Sequence, residues 1–531
     1  MVTLPGGDRS RSGREARLGG PRSRLAVALV TGAVAVLVYL PSLWNDFVWD
    51  DSYNIVANES IRDLRNIPSF FTSHWAAGAE DDFARDKNVA VYRPLAQVSY
   101  TIDYALFGLA PWGFQLVNVL LHALVTMLVV WLALQLFKTL PPRDMSPSLP
   151  VLVALVAGLW FALHPVHSEA VNVISYRTSL LDALFYLLAL NIRLASATAG
   201  DRRRALADWL LLPLVYVLAL SSKESAFTLP FAVVLLDRTV LRAEPFARQA
   251  RVYPVLFGLA LGFLLWRRVL LEPSPFVFFP DETFATVFWT MLKVPALYLG
   301  LLIVPLNLNP FRDWSVFPPV DTPADSEVLA GIMVVVLWAL GVILAWRRSP
   351  AVAFGLGLAG VALLPYTQLS PFITVGGERF LYVSAAGLSP LVGYGFVRLC
   401  LRLRRRWVIP ALLLVIYLGG LAGLTVQRTR EWRTTESILL TTVQRYPHGF
   451  NAWFALGQLL MAEERHAEAA ESFRGALRLL PDLRAVRLWL AKAELKALRP
   501  SRALETLEGG GLGEDDPEAR ALIEKARRLL E

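Results

Sequence analysis

The stretch RSRLAVALVTGAVAVLVYLPSLWNDFVWDD, residues 22–51, decides what kind of protein this is. Its run from Leu25 to Leu43 carries no charge, and a helix of that length crosses a hydrocarbon core of about 30 Å. Arg9, Arg11, Arg14, Arg17, Arg22 and Arg24 precede the run, and Trp44, Phe47 and Trp49 follow it as an interfacial aromatic anchor. The positive-inside rule then places the N-terminal tail in the cytoplasm and Asp50 and Asp51 at the water edge of the outer face. No small-residue cleavage site follows the run, which disfavours a secretory leader.

Outward from that span, apolar runs and arginine blocks alternate. Trp112–Phe137 returns to Lys138 and Arg143, Val151–Leu163 goes out to a polar loop from His164 to Arg177, and Leu180–Leu194 comes back to Arg202, Arg203 and Arg204. Trp209–Leu220 goes out to Ser221, Ser222, Lys223 and Glu224, and Phe227–Leu236 returns to Arg238, Arg242, Arg248 and Arg251. Val252–Leu265 goes out again, although it ends at Arg267 and Arg268. Val328–Trp346 returns to Arg347 and Arg348, Val352–Leu364 goes out, Phe380–Val397 returns to the block Arg398, Arg402, Arg404, Arg405 and Arg406, and Val408–Leu424 crosses last. Phe284–Val304 is read as re-entrant or lying along the outer face, because a full crossing would leave Arg347 and Arg348 outside. The expected organisation is a cytoplasmic arginine-rich tail (1–24), a membrane domain of about ten spans (25–425) with a large outer loop (44–111), and an outer C-terminal domain (426–531).

Composition leads to the same all-α, polytopic membrane class. Of 531 residues 55% are hydrophobic and 18% charged, against about 25% charged in soluble domains, too much apolar surface for a soluble fold to hide. The net charge of +8 is carried by loop arginines and records topology, so no nucleic-acid partner is expected. The single cysteine, Cys400, excludes an intrachain disulfide framework and any multi-cysteine metal site.

After the last span a helical repeat begins. Trp453, Leu456, Gly457, Leu460, Ala469, Phe473, Ala476 and Pro481 match the tetratricopeptide pattern, with Leu460 in the usual tyrosine position. Pro447 lies one period of about 34 residues before Pro481, and Ala491 and Ala503 fall where a next repeat needs small residues. The expectation is a partial repeat over Glu431–Tyr446, one good repeat, one degenerate repeat, and a closing helix from Pro517 to Leu530 after Gly509, Gly510 and Gly511.

The outer loops hold the candidate chemistry. Asp50 and Asp51, adjacent at the edge of an apolar layer, feel desolvation and each other's charge, which raises proton affinity and prepares a general base; a solvated loop start is the plain alternative. In the first loop Ile61, Leu64, Ile67, Phe70, Phe71 and Trp75 suggest an interfacial helix broken by Pro68, and Leu95, Val98, Ile102 and Leu106 a second. Arg93, between Tyr92 and Pro94, offers a planar fork to an anionic phosphate. Arg177, Lys223 and Arg379 offer the same, with Glu169, Glu224 and Glu378 to orient them; structural ion pairing is the alternative for each taken singly. His164 and His167 are spaced wrongly for a helical two-histidine zinc motif and Pro165 interrupts the helix, so hydrogen bonding to substrate or outer loops is expected and no metal.

Taken in order, Phe47-Val-Trp-Asp-Asp51, Tyr92-Arg-Pro-Leu95, Phe161-Ala-Leu-His-Pro-Val-His-Ser-Glu-Ala-Val171, Ser222-Lys-Glu-Ser225 and Glu378-Arg-Phe-Leu-Tyr382, followed by tetratricopeptide repeats, resemble the transmembrane and tetratricopeptide-repeat-containing O-mannosyltransferase family and its bacterial relatives. The resemblance implies a GT-C glycosyltransferase fold and a polyprenyl-phosphate sugar donor, with transfer of mannose or another hexose to a hydroxyl, as on protein Ser or Thr, at the outer face. It implies Asp50 or Asp51 as the base, and a leaving lipid phosphate received by Arg93, Arg177, Lys223 and Arg379. Membrane lipid and a protein or glycan acceptor engaged by the repeats are the implied partners. No cofactor is expected, and no glycine-rich nucleotide loop is present. The arginine bias and short repeat array point to a bacterial inner membrane with a periplasmic site, an endoplasmic reticulum membrane being the alternative.

Two other classes compete. Transporter sites sit at the bilayer midplane among broken helices, whereas here the polar residues gather at the outer ends of spans, with Asp182 and Lys293 as exceptions. A catalytically inactive membrane-anchored repeat scaffold needs only one span.

Overall fold

A computed structural model describes residues 20–73, 91–139, 149–270, 283–312, 315–367, 375–403, 406–509 and 516–531. Most of the expected tail, part of the outer loop (74–90), and Arg143, Arg404 and Arg405 lie outside the described residues. Regular structure among the described residues is helical. The chain divides into two compact units, one of residues 1–308, 322–373 and 378–432, the other of 309–321, 374–377 and 433–531.

In the first unit, nine helices of the described residues are long and apolar enough to cross a membrane, and the protein is a multi-pass membrane protein. Local signals set their limits. Proline occupies the first turn of Pro21–Tyr39, Pro94–Phe107 and Pro350–Leu363, where its missing N–H costs nothing. Asp325 caps Ser326–Arg348 by accepting from the N–H groups of Glu327 and Val328. Ser326–Arg348 and Val408–Glu431 expose Leu329, Met333, Leu337, Ile343, Leu412 and Leu413. In water each would forgo about 1.5–3 kcal/mol of burial, so lipid is their solvent.

Two expected spans depart from a plain crossing. Leu229–Thr239 has 11 residues, about 16 Å of helix, because the preceding residues Glu224–Thr228 form a 3-10 turn. Leu149–Leu163 is followed, beyond Pro165, by a short arm Pro165–Asn172 bent away by 49°. The first-loop helix expected around Ile61–Trp75 is instead two 3-10 turns, Glu59–Arg62 and Leu64–Phe71. Ile61 and Phe70 turn inward, into a cluster with Ile55, Tyr100, Phe114 and Ile174. The second, Pro94–Phe107, does form, burying Ala96 and Tyr100 and exposing Ile102 and Leu106.

The segment Phe284–Ile303 is long and apolar enough to span, yet it breaks at Leu292–Lys293 into two helices. Lys293 pairs with Glu327 at 2.8 Å, near the start of Ser326–Arg348, and His164 Nε2 lies 3.1 Å from the Leu302 carbonyl oxygen. Both ends of Val294–Ile303 thus meet residues at one end of the bundle. A Cβ on Gly331 would fall 1.6 Å from the Leu292 carbonyl oxygen, so only glycine admits the break there.

Far from that end, Arg193 is fully buried between Asp208 (3.0 Å) and Asp237 (2.9 Å), with Ser196 and Tyr253 donating to the same carboxylates. This network ties Arg177–Ala197 to its neighbouring helices.

The second unit is a run of helices, Thr435–Arg445, Phe450–Ala462, His466–Leu479, Arg484–Lys496, Pro500–Glu508 and Pro517–Arg528. Leu456, Leu460, Ala469, Phe473, Ala476, Ala491 and Ala503 are buried at their interfaces. A Cβ on Gly457 would lie 2.6 Å from the Phe473 ring, which is why the repeat pattern has glycine there. Ser315, from the 309–321 segment, accepts from the Phe450 N–H at 2.9 Å.

Candidate active site

The chain reaches the acidic pair through a left-handed residue, Trp49, at φ 54°, a conformation that costs a non-glycine residue about 1–3 kcal/mol. The turn sends the two carboxylates different ways. Asp51 is fully buried and accepts from the backbone N–H groups of Val48 (3.1 Å), Ile174 (3.1 Å) and Ser175 (2.7 Å). Burial pushes its carboxyl up to about 7, against those bonds, which lower it. It is a latch between the loop after Pro21–Trp44 and the start of Arg177–Ala197. Asp50 is half-buried; the Tyr176 hydroxyl donates to its Oδ2 at 3.0 Å. Tyr53 bonds to it as well, and burial together with the Asp50 charge keeps the Tyr53 phenol protonated, hence a donor.

Three of the expected cations, Arg379, Arg93 and Lys223, act on one another, and Arg379 among them feels the Asp50 charge. Arg379 lies 4.2 Å from the centre of the Tyr176 ring and is held by Glu169, which takes both its guanidinium and its backbone N–H. Arg93 makes a two-pronged pair with Glu224, at 3.0 and 2.6 Å. Burial alone would raise the Glu224 carboxyl, but Arg93 outweighs it and holds it well below the usual carboxylate range. Lys223 donates to Ser179 Oγ at 2.9 Å and stands over the Tyr366 and Phe380 rings. Burial first, then the charges of Arg93 and Arg379, lower its ammonium pKa. Arg267 reaches the same field by acting on Glu224, and neighbouring Trp266 donates to Tyr92. One of the two arginines ending Tyr253–Leu270, awkward for topology, thus reaches this site.

Four expected site residues are engaged elsewhere. Arg177 is buried against Asp103, with bonds to Asn118, Ser99 and the Phe114 carbonyl, so its fork is already occupied by the fold. Glu378 faces Arg428 at 3.8 Å, and Glu169 takes the orienting role expected of it. His164 is committed to Leu302. His167 is buried among Phe161, Tyr382 and His122 with neither ring nitrogen hydrogen-bonded. Among the described residues no group of three or more His, Cys, Asp or Glu could hold a metal.

Two cavities adjoin. A small one has Ser179, Asp182, Lys223, Ser225, Tyr366 and Arg379 in its wall beside Phe380 and Val383. The other, about 470 Å³, is almost wholly apolar and runs between Phe284–Ile303, Ser326–Arg348, Pro350–Leu363 and Leu381–Leu403, with Tyr366 in its wall as well.

Comparison with known proteins agrees in both units. A tetratricopeptide repeat family model matches residues 460–526. A protein O-mannosyl-transferase of Caenorhabditis elegans is 25% identical over 463 residues, covering 85% of this chain and 62% of its own. Protein O-mannosyl-transferase TMTC1 of Homo sapiens is 27% identical over 532 residues, covering 90% of this chain and 57% of its own. The chain is a relative of the protein O-mannosyl-transferases. It spans about three-fifths of the length of these curated relatives. The crystal structure of ArnT from Cupriavidus metallidurans bound to undecaprenyl phosphate aligns over 90% of this chain and 79% of its own, at 14% identity and a TM-score of 0.39, too loose a likeness to bear on the site.

For this relative of the O-mannosyl-transferases, sequence reasoning missed Tyr176, which joins Asp50 to Arg379, and Tyr366, shared by the two cavities. Tyr176 sits one residue before an arginine that drew attention instead. Phe380 and Ser179 were equally silent, since an aromatic or a serine beside a span reads as packing.

Proposed function

We propose that the protein is a membrane glycosyltransferase of GT-C type that moves mannose or another hexose from a polyprenyl-phosphate donor to a hydroxyl acceptor, such as a protein Ser or Thr. The observation that carries this reading is a connected set: Asp50 joined through Tyr176 to Arg379, Arg379 clustered with Lys223 and Arg93, and an apolar cavity that shares Tyr366 with the lysine's pocket. The apolar cavity suits an isoprenoid tail, and the cations suit its phosphate. The printed activity of the relatives, protein O-mannosyl transfer, supports the same chemistry.

In this mechanism Asp50 removes the acceptor hydroxyl's proton as its oxygen attacks the anomeric carbon, and the bond from that carbon to the phosphate oxygen breaks. Tyr53 and Tyr176 hold the carboxylate in place. The phosphate leaves toward Lys223, Arg379 and Arg93, whose fixed charges in a partly dry site act more strongly than in water. The arginine blocks favour the outer face for this site, which in a bacterial inner membrane is the periplasm. Membrane lipid surrounds the first unit, and the repeat unit engages the acceptor.

The test is to reconstitute the protein with labelled polyprenyl-phosphate mannose or glucose and a serine- and threonine-rich acceptor. Label moving to acceptor hydroxyls supports the reading. Neither transfer nor release of polyprenyl phosphate from either donor would overturn it.

A further inference from the structure

Arg93 and Arg379 each have a carboxylate to themselves, Glu224 and Glu169. The third cation is served differently: the Lys223 ammonium is buried, donates to the neutral Ser179 hydroxyl, and stands over two aromatic rings. A buried ammonium without a counter-charge is costly, and two neighbouring guanidinium groups add to the cost. Asp182 lines the same small cavity and acts on the lysine electrostatically. It follows Ser179 by one helical turn on Arg177–Ala197, so both side chains face the turn Lys223–Ser225. The Ser225 hydroxyl donates to its Oδ2, while its Oδ1 is buried and makes no hydrogen bond. Of the residues lining the small cavity, which include Lys223 and Arg379, Asp182 is the one carboxylate.

We infer that Asp182 is a positioning residue that acts through Lys223, keeping the lysine charged and so setting the upper pH limit at which the site holds a lipid phosphate. The second half of that statement rests on the donor proposed above. Lys223 is faced by Asp182 and Tyr186 from Arg177–Ala197, by Arg93 ahead of Pro94–Phe107, by Glu224 on its own turn, by Tyr366 after Pro350–Leu363, and by Arg379 and Tyr382 around the start of Leu381–Leu403. Arg93 and Arg379 drive its proton off, and Asp182 and Glu224 hold it. Since Glu224 is committed to Arg93, removing Asp182 leaves the lysine to lose its proton at a lower pH.

The test is competitive acetylation of Lys223 by acetic anhydride across a pH series, read by mass spectrometry on the full-length protein in detergent, alongside binding of polyprenyl phosphate. In Asp182→Asn the Lys223 midpoint falls by about one pH unit or more, a tenfold change in proton affinity. Ser225→Ala, which takes a hydrogen bond from the charged carboxylate, moves it the same way by less and serves where Asp182→Asn fails to fold. In Asp182→Asn with Lys223→Arg, polyprenyl phosphate binding loses its alkaline limb, because guanidinium does not titrate there. Identical Lys223 midpoints in wild type and both single variants overturn the inference. A shifted midpoint with binding that ignores it upholds the Asp182–Lys223 pair and overturns the assignment of Lys223 to the lipid phosphate.

Discussion

Asp50 and Asp51 are neighbours with opposite duties. Asp51 has committed its oxygens to three backbone N–H groups, whereas Asp50 is half-buried and meets side-chain hydroxyls, those of Tyr176 and Tyr53. Asp50→Asn is therefore expected to lower sugar transfer by about 10²–10⁴, the worth of a general base, with the melting temperature unchanged. Asp51→Ala is expected to cost about 3 kcal/mol or more by stranding buried N–H groups, seen as a lower melting temperature, with activity lost in proportion to the unfolded fraction. Tyr176→Phe should reduce transfer by weakening the hold on Asp50 while donor binding persists. The pair itself was legible in the sequence as chemistry at a membrane edge. Which member does what was not, because two of the three partners of Asp51 lie 123 and 124 positions further along the chain, and no local pattern encodes that distance. Arg177 and Arg379 show the same limit: both stand just ahead of an apolar run, yet one is consumed by Asp103 and the other stands over Tyr176.

Among the elements, Arg177–Ala197 is fixed near both ends by buried arginines, Arg177 on Asp103 and Arg193 between Asp208 and Asp237. That fixity holds Ser179 and Asp182 under Lys223. Arg193→Ala strips buried Asp237 of its cation and leaves Asp208 with Arg204 alone, a change worth about 3–5 kcal/mol. Its expected result is a large drop in melting temperature, although Arg193 is remote from the site. Helix positions were readable from apolar runs because lipid demands about 20 such residues. The exceptions are physical too: Leu229–Thr239 starts late because the Lys223–Thr228 turn serves the site, and Phe284–Ile303 breaks where Gly331 lets it pack. Both depend on contacts distant in sequence. The apolar cavity was invisible for a different reason, since its walls have the same composition as any lipid-facing helix.

For the whole molecule, the division of labour between membrane unit and repeat unit is the larger expectation. Removing the chain after Trp432 should impair transfer to a protein acceptor more than release of sugar from the donor to water, measured side by side on one preparation; equal loss of both would make the repeats structural support. The repeats were plain in sequence because each buried position recurs with a fixed period, and Gly457, Ala469 and Ala476 are where helices touch. The central claim is that one carboxylate, Asp50, activates the acceptor while nearby cations receive a lipid phosphate. It is tested most directly by single-turnover transfer from labelled polyprenyl-phosphate mannose to a serine- and threonine-rich acceptor in reconstituted wild type and Asp50→Asn. The account predicts rapid transfer by the wild type, and by the variant normal donor binding with transfer slowed at least about a hundredfold. Transfer at the wild-type rate by a folded Asp50→Asn variant would contradict it.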